Sequence, residues 1–331
     1  MKKIVLTVVF LMALVGTHFS WSGHEGFTYH LVKNIVPDEL VEIREYSYQE
    51  KRIYNVSRLV LGDVCGKAIL PPWDGALVPP DPTPSNGRVP AWQILTVYSS
   101  EPDWGMDQDL SLSPHQVLIG NSQGVRHMKY RLLGLDFFEG DESFYYFHDM
   151  AKEAFKRGDR YWGYRFLARA LHYIQDLSQP YHNVPGEILE VLKGLFDETT
   201  KRMLANAHFV YDDFLAFLIY SGDEDILKAI EEAEPIFTKN EWELVQVVRG
   251  LAMSYFPTVH KEMKRVFEDT LKKREPSEKA FSVVSPEEFR SLYENGSLDS
   301  LKFYTVELVG KVSSYLKGYL ISFLRSVKNI K

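Results

Sequence analysis

The sequence predicts an all-α protein, a single multi-helix domain. Apolar residues recur at helical spacing over several long stretches, whereas alternating runs of β-branched residues are few. The 331-residue chain is 45% hydrophobic and 25% charged, which excludes a disordered chain, a collagen-like chain and a coiled-coil rod. We find no internal repeat and no low-complexity linker, so one domain over residues 21–331 is expected.

The helices are predicted from their apolar periodicity and from the residues that break it. The Arg157-Gly158-Asp159 break separates two of them, Pro180 limits the second, and Pro257 predicts an interruption in a later one. The predicted helical stretches cover 142–157, 161–177, 188–203, 206–220, 240–271 and 300–328. We expect the amphipathic stretch 300–328 to pack against the other helices, with peripheral membrane contact as the alternative.

Residues 65–121 differ from the rest of the chain because they contain nine prolines and several glycines. Such a composition predicts loops, and a long loop within a compact domain is commonly functional. We therefore predict a long proline-rich loop insertion in this part of the helical domain.

The amino terminus resembles a secretory signal peptide. Lys2 and Lys3 precede an apolar run over 4–15, which is short for a membrane span. We predict a signal peptide over 1–20 and a secreted or periplasmic protein, although His18 makes the cleavage site imperfect. Its removal would change the net charge from −7 to −9.

A single cysteine, Cys65, excludes an intramolecular disulfide. Exported proteins of this size often carry disulfides, so bound metal is a natural substitute for stabilising the fold. The negative net charge argues against broad binding to a phosphate backbone.

The most informative segment is LHYIQDLSQPYH, residues 171–182. His172 and Asp176 lie four residues apart on a predicted helix, so their side chains share one face. Imidazole nitrogens and carboxylate oxygens are zinc ligands. Pro180 ends the helix and could turn His182 toward the same cavity. Taken alone, such a pair is more often a buried histidine and a solvated carboxylate.

The same spacing recurs at His208 and Asp212 on a second predicted helix. Together with His182, this pair would complete a three-ligand zinc site. Asp103 in the proline-rich stretch and His127 supply a further carboxylate and imidazole. The full set is much less easily explained by chance than either pair alone.

Cleavage before Trp21 would expose an amino group that could chelate a metal ion together with the Trp21 carbonyl. His24 or His30 could add an imidazole. On local evidence alone, the favoured interpretation is that Trp21 is merely a hydrophobic residue at a frayed terminus.

The order of these residues from Trp21 to Asp213 resembles the trinuclear zinc superfamily of bacterial phospholipases C and fungal single-strand-specific nucleases. The segment 171–182 is the most specific part of the resemblance, which implies a mainly α-helical fold and three zinc ions. By the resemblance, one zinc is held by Asp103, His127, His172 and Asp176. A second is held by His182, His208 and Asp212. A third is held by the amine and carbonyl of Trp21, by His24 and by a bridging Asp176.

The chain departs from the family pattern at several points. The gap from Trp21 to Asp103 is long, which leaves Asp63 as a competing carboxylate. Gly23-His24 and Asp212 are typical of the nuclease branch. The spacing of His30 and the lack of cysteine pairs are more typical of the phospholipase branch.

The resemblance implies metal-assisted hydrolysis of phosphodiesters, with Asp103 holding or accepting the proton of the attacking water. We expect a phospholipase C-like enzyme acting on a phospholipid headgroup. A single-strand nuclease or nucleotidase on the same site is the alternative, and an exported protein with structural zinc is a third hypothesis. We predict no protein partner.

Overall fold

The computed structural model describes residues 23–37, 39–48, 87–104, 106–107, 110–114, 116, 122–273 and 283–328. Over these residues the protein is mainly α-helical, so the predicted all-α class is confirmed. The helices are α1 (His24–Val32), α2 (Ala91–Tyr98), α3 (Gln123–His127), α4 (Gly140–Lys156), α5 (Arg160–Asp176), α6 (Pro180–Asn183), α7 (Ile188–Gly194), α8 (Glu198–Tyr220), α9 (Glu224–Glu231), α10 (Glu241–Lys273), α11 (Pro286–Glu294) and α12 (Asp299–Lys328).

Two short antiparallel hairpins accompany the helices. Strand β1 (Leu40–Glu42) pairs with β2 (Arg88–Pro90), and β3 (Tyr130–Leu132) pairs with β4 (Leu135–Phe137). The second hairpin turns through Leu133 and Gly134, which both have positive φ, as a tight two-residue turn requires.

Helix α5 forms the centre of the fold, and every residue from Tyr161 to Asp176 is buried. It packs against α4 and α2. Gly158 has a φ of +73° in the turn between α4 and α5, and Asp159 caps α5 by accepting a hydrogen bond from the Trp162 amide. The polar side chains of a helix that is buried on all sides need hydrogen-bond or ionic partners from neighbouring elements.

The other long helices pack mainly against one another. Helix α8 contacts α10, and α12 contacts α9 and α10. One hydrophobic cluster contains buried residues from every helix except α3 and α7. Helix α12 therefore packs against the other helices as predicted. No helix in the described part of the chain is both long and apolar enough to span a bilayer.

Two predicted helix boundaries are wrong. The break between 188–203 and 206–220 lies at 195–197, because Asp197 accepts a hydrogen bond from the Thr200 amide and caps α8. Pro257 does not interrupt α10, which continues through it. Proline removes one main-chain hydrogen bond, and burial of neighbours such as Phe256 and Val259 offsets that cost.

The described part of the proline-rich stretch is more regular than a loop. It contains β2, α2 and a 3-10 turn over Glu101–Trp104. Helix α2 buries Ile94, Leu95 and Tyr98. The signal peptide over 1–20 and the start of the domain at residue 21 lie outside the described residues, so both boundaries remain predictions.

Candidate metal centre

Four elements bring imidazoles and carboxylates together beside the carboxyl-terminal half of α5. His172 and Asp176 project from one face of α5, and the 3-10 turn supplies Asp103. His172 Nε2 lies 3.0 Å from Asp103 Oδ1 and 3.1 Å from Asp176 Oδ2. His127, at the end of α3, places Nδ1 2.8 Å from Asp176 Oδ2 and 3.0 Å from His172 Nε2.

His24, the first residue of α1, completes this group, which we call the α5 cluster (His24, Asp103, His127, His172 and Asp176). Its Nε2 lies 3.4 Å from Asp176 Oδ1 and 3.7 Å from Asp103 Oδ2. The centroids of the His24 and His172 rings are 3.9 Å apart. Asp176 lies one turn from His172 on α5, whereas His24, Asp103 and His127 come from other elements. Only folding therefore assembles the whole group.

A second group, the α8 cluster, consists of His182, His208 and Asp212. His208 Nε2 lies 3.2 Å from Asp212 Oδ2, and His182 Nε2 lies 3.6 Å from the same oxygen. His182 is presented by α6, which begins at Pro180 and is capped by the Gln179 side chain. His182 Nδ1 also lies 3.4 Å from Asp176 Oδ1, so Asp176 contacts both clusters.

The residues fit zinc. Three groups of residues, two of which share His172, each have their potential ligand atoms within 4.8 Å of one another. These groups are His24, Asp103 and His172; His127, His172 and Asp176; and His182, His208 and Asp212.

Several of the atoms that face one another lack a hydrogen-bond partner among the described residues although they are buried. They are Asp103 Oδ1, Asp176 Oδ1, His182 Nε2, His208 Nε2 and Asp212 Oδ2. Buried polar atoms without a partner are costly, and a cation bound between them would satisfy them.

The nitrogens and oxygens on the outer side of the clusters are held by hydrogen bonds. His172 Nδ1 lies 2.7 Å from the Ser99 carbonyl oxygen, and His24 Nδ1 lies 2.7 Å from Gln175 Oε1. Gln179 Nε2 donates to Asp212 Oδ1 over 2.7 Å. Such contacts fix the rotation of a ligand side chain and leave its other face for the metal.

The charges of the clusters are tightly coupled. Burial by itself lowers the pKa of His172, but the Asp103 and Asp176 carboxylates outweigh burial and raise it to about 10. Burial raises the pKa of Asp212, but His208 and His182 bring it to about 2. Burial lowers the pKa of His24, as does the neighbouring His172. The carboxylates thus stabilise positive charge in the α5 cluster, whether His172 or a bound cation carries it.

A buried ionic network supports the 3-10 turn that carries Asp103. Glu101 is fully buried and accepts hydrogen bonds from Arg165 and from Arg169, both on α5. A third arginine, Arg249 of α10, donates to Asn183 Oδ1 over 3.1 Å, next to His182. Charge-assisted bonds of this kind anchor the ligand-bearing segments to the central helices.

The structure brings together all the predicted ligands that it describes. Trp21 and the competing Asp63 lie outside the described residues. His30 is absent from the three ligand groups, and its Nδ1 lies 2.5 Å from Glu231 Oε1. Within the described residues His24 is therefore the imidazole that joins the α5 cluster.

Sequence reasoning missed the residues that hold the ligands. Gln175 and Gln179 stand inside the 171–182 segment, where their spacing from the ligands was a usable signal. Glu101 and Asp107 carry no local pattern that distinguishes them from other carboxylates. Their roles depend on contacts with distant helices.

No protein-family model matches the chain, and no curated protein matches it. Similar solved structures include the alpha toxin from Clostridium absonum, at 15% identity and a TM-score of 0.33. They also include the alpha-toxin isolated from an avian strain of Clostridium perfringens, at 14% identity and a TM-score of 0.30. Each alignment covers 73% of this chain, which spans little more than half of the toxins (56% and 55%).

Proposed function

We propose that the protein is an exported zinc-dependent phosphodiesterase of the phospholipase C type. One observation carries this proposal: five buried histidines and three aspartates form three ligand groups, two of which share His172, and Asp176 contacts His182 of the third. Ion pairs that merely stabilise a fold do not require such a concentration of imidazoles. Imidazoles and carboxylates together bind zinc, and clustered metal ions catalyse the hydrolysis of phosphate esters.

The ligand assignment implied by the sequence is retained in the proposal. Asp103, His127, His172 and Asp176 would hold one zinc ion, and His182, His208 and Asp212 a second. His24, Asp176 and the amino terminus at Trp21 would hold a third. Bound zinc supplies Lewis-acid stabilisation of phosphate oxygens and activation of a water molecule.

Asp103 is proposed as the catalytic carboxylate. Its side chain is 7% exposed, whereas that of Asp176 is fully buried, so Asp103 is the more accessible carboxylate of the α5 cluster. Asp103 Oδ1 lies 3.0 Å from His172 Nε2, at the centre of the α5 cluster, where a carboxylate would orient a water molecule or accept its proton. Asp176 is proposed to hold the two clusters in a fixed relation.

The proposed substrate is a phospholipid, cleaved at the phosphodiester of its headgroup. Phospholipases of the resembled superfamily carry a segment closely similar to 171–182, and the net charge of −7 disfavours extended contact with a nucleic-acid backbone. A single-strand nuclease or nucleotidase is the second candidate, favoured by Gly23-His24 and by Asp212 as the last ligand. Export is proposed from the amino-terminal sequence.

The test combines metal counting with two substrates. Secreted protein, reconstituted with zinc and dialysed, is expected to hold two or more zinc ions per chain and to hydrolyse phosphatidylcholine but not single-stranded DNA. Asp103→Asn should abolish hydrolysis. His260→Asn is the matched control, because His260 is buried but belongs to none of the ligand groups.

Less than one zinc per chain would overturn the proposal, and the opposite substrate preference would establish the nuclease. Amino-terminal sequencing of the same sample tests the third site. A mature terminus at Trp21 supports it, whereas a different terminus removes it.

A further inference from the structure

Asp107 is a fully buried carboxylate that belongs to none of the three ligand groups. Its Oδ2 lies 3.0 Å from His127 Nε2 and accepts hydrogen bonds from Arg126 Nε and the Tyr173 hydroxyl, each over 2.8 Å. Its Oδ1 accepts from Arg126 Nη2 over 3.2 Å. Both oxygens therefore already receive donors from the protein.

The contact with Asp107 determines which nitrogen of His127 is available to a metal. An ionised carboxylate only accepts hydrogen bonds, so His127 Nε2 must donate to it. The lone pair of the neutral ring is then on Nδ1. This is the nitrogen that lies 2.8 Å from Asp176 Oδ2 and 3.0 Å from His172 Nε2, inside the α5 cluster.

The donors that hold Asp107 come from residues adjacent to proposed ligands. Arg126 precedes His127 on α3, and Tyr173 follows His172 on α5. Asp107 thus connects the helix that carries His127 to the helix that carries His172. The Tyr173 ring also contacts the His127 ring edge-on, with centroids 5.0 Å apart, which further restricts rotation of the imidazole.

The partner of His127 differs from the partners of two other imidazoles in the cluster. His24 Nδ1 meets the amide oxygen of Gln175, and His172 Nδ1 meets the Ser99 carbonyl oxygen. Both partners are neutral, whereas Asp107 brings a carboxylate. A carboxylate on the outer nitrogen makes the ligating nitrogen more basic as well as fixing its orientation.

We propose that Asp107 is a positioning residue for the metal centre: it holds His127 with Nε2 protonated and Nδ1 directed at the metal, and so sets the zinc affinity of the α5 cluster. This inference rests on the proposed zinc phosphodiesterase. It assigns Asp107 no contact with metal or substrate.

The test measures zinc affinity by competition with a chromophoric chelator, using zinc and the full-length protein. Asp107→Asn is expected to weaken one class of zinc site by about 10- to 100-fold, and Asp107→Ala to weaken it further, because asparagine retains an acceptor oxygen. Sites in the α8 cluster should keep their affinity. Asp223→Asn is the matched control, since Asp223 is a buried carboxylate that caps α9 and contacts Lys302 and Tyr293.

A second readout reports the tautomer directly. In histidine-labelled, zinc-loaded protein, the nitrogen resonances of His127 should show a protonated Nε2 and a metal-bound Nδ1. This assignment should weaken or reverse in Asp107→Asn. A residue that only stabilised the fold would lower the unfolding temperature and leave this signature unchanged.

Tyr173→Phe provides a milder variant if the Asp107 substitutions fold poorly, because it removes one donor and retains the His127 contact. It should weaken the same zinc site by several-fold. Unchanged zinc affinity and tautomer in a folded Asp107 variant would overturn the inference and leave the proposed function standing. Failure of the wild-type protein to bind zinc would overturn both.

Discussion

Two histidine–aspartate pairs with identical spacing occupy different surroundings in this protein. His172 Nε2 lies 3.1 Å from Asp176 Oδ2 on α5, and His208 Nε2 lies 3.2 Å from Asp212 Oδ2 on α8. The local geometry of the two pairs is almost the same. The spacing of four residues on a helix therefore determines the pair itself.

The neighbours of each pair give the two histidines opposite properties. At His172 the Asp103 and Asp176 carboxylates overcome burial and raise the pKa to about 10. At His208 burial lowers the pKa, and His182 adds to the effect while Asp212 opposes it. The comparison shows that residues brought from other elements decide the charge of a pair that the sequence places on one helix face.

The largest expected difference concerns the two aspartates. Asp176→Asn should remove zinc from both clusters and lower phosphodiester hydrolysis by about 10³-fold, because Asp176 contacts His24, His127, His172 and His182. Asp212→Asn should reduce the zinc content by one ion per chain. Metal analysis after dialysis checks both variants, and equal zinc losses would contradict the unequal roles assigned to them.

A second difference is expected in the pH dependence of stability of the zinc-free protein. The pKa of His172 in the folded protein is about 10, above the ordinary 6.5. Its contribution to the free energy of unfolding is therefore complete below pH 6.5 and is lost as pH rises toward 10. The pKa of His208 is lowered, so the unfolded chain takes up the proton first and stability falls as pH drops below 6.5.

Substitution should therefore affect opposite sides of the stability profile. His172→Asn should reduce the loss of unfolding free energy above pH 6.5 by up to about 1.4 kcal/mol per pH unit. His208→Asn should reduce the loss of unfolding free energy below pH 6.5. Urea unfolding in the presence of a chelator, from pH 5 to pH 10, measures both. Flattening of the same side by both substitutions would count against the comparison.

The smallest effect on zinc binding is expected from two glutamines, each of which contacts a proposed ligand of one cluster. Gln175 Oε1 contacts His24 in the α5 cluster, and Gln179 Nε2 donates to Asp212 in the α8 cluster. Gln175→Leu and Gln179→Leu should each lower zinc affinity about 10-fold, and only in the cluster concerned. Zinc titration of each variant checks this, and loss at the other cluster would show that the clusters are not separately supported.

Helix type and helix face were predictable because they depend on local periodicity. The stretches 142–157 and 161–177 agree closely with α4 and α5, and 300–328 agrees with α12. Boundaries were less predictable where a single side chain or long-range packing decides them. Asp197 caps α8 within a stretch that is otherwise continuous in pattern, and packing carries α10 through Pro257.

The predicted ligands were recognisable because each belongs to a spacing or an order along the chain. The residues that hold those ligands were not, because their contacts cross large sequence separations. Glu101 meets Arg165 and Arg169 from another element, and Asp107 reaches Tyr173 across 66 positions.

The sequence by itself determined the helical class, the two histidine–aspartate pairs and the chemistry of the ligand set. These follow from periodicity and from residue type, which are local properties. Only the tertiary structure decided that Asp103 lies beside His24 and His172, that Asp176 contacts both clusters, and that the pKa values of His172 and His208 shift in opposite directions. Those outcomes depend on distances and burial between separate elements, because electrostatic interactions are set by the packed arrangement rather than by position along the chain.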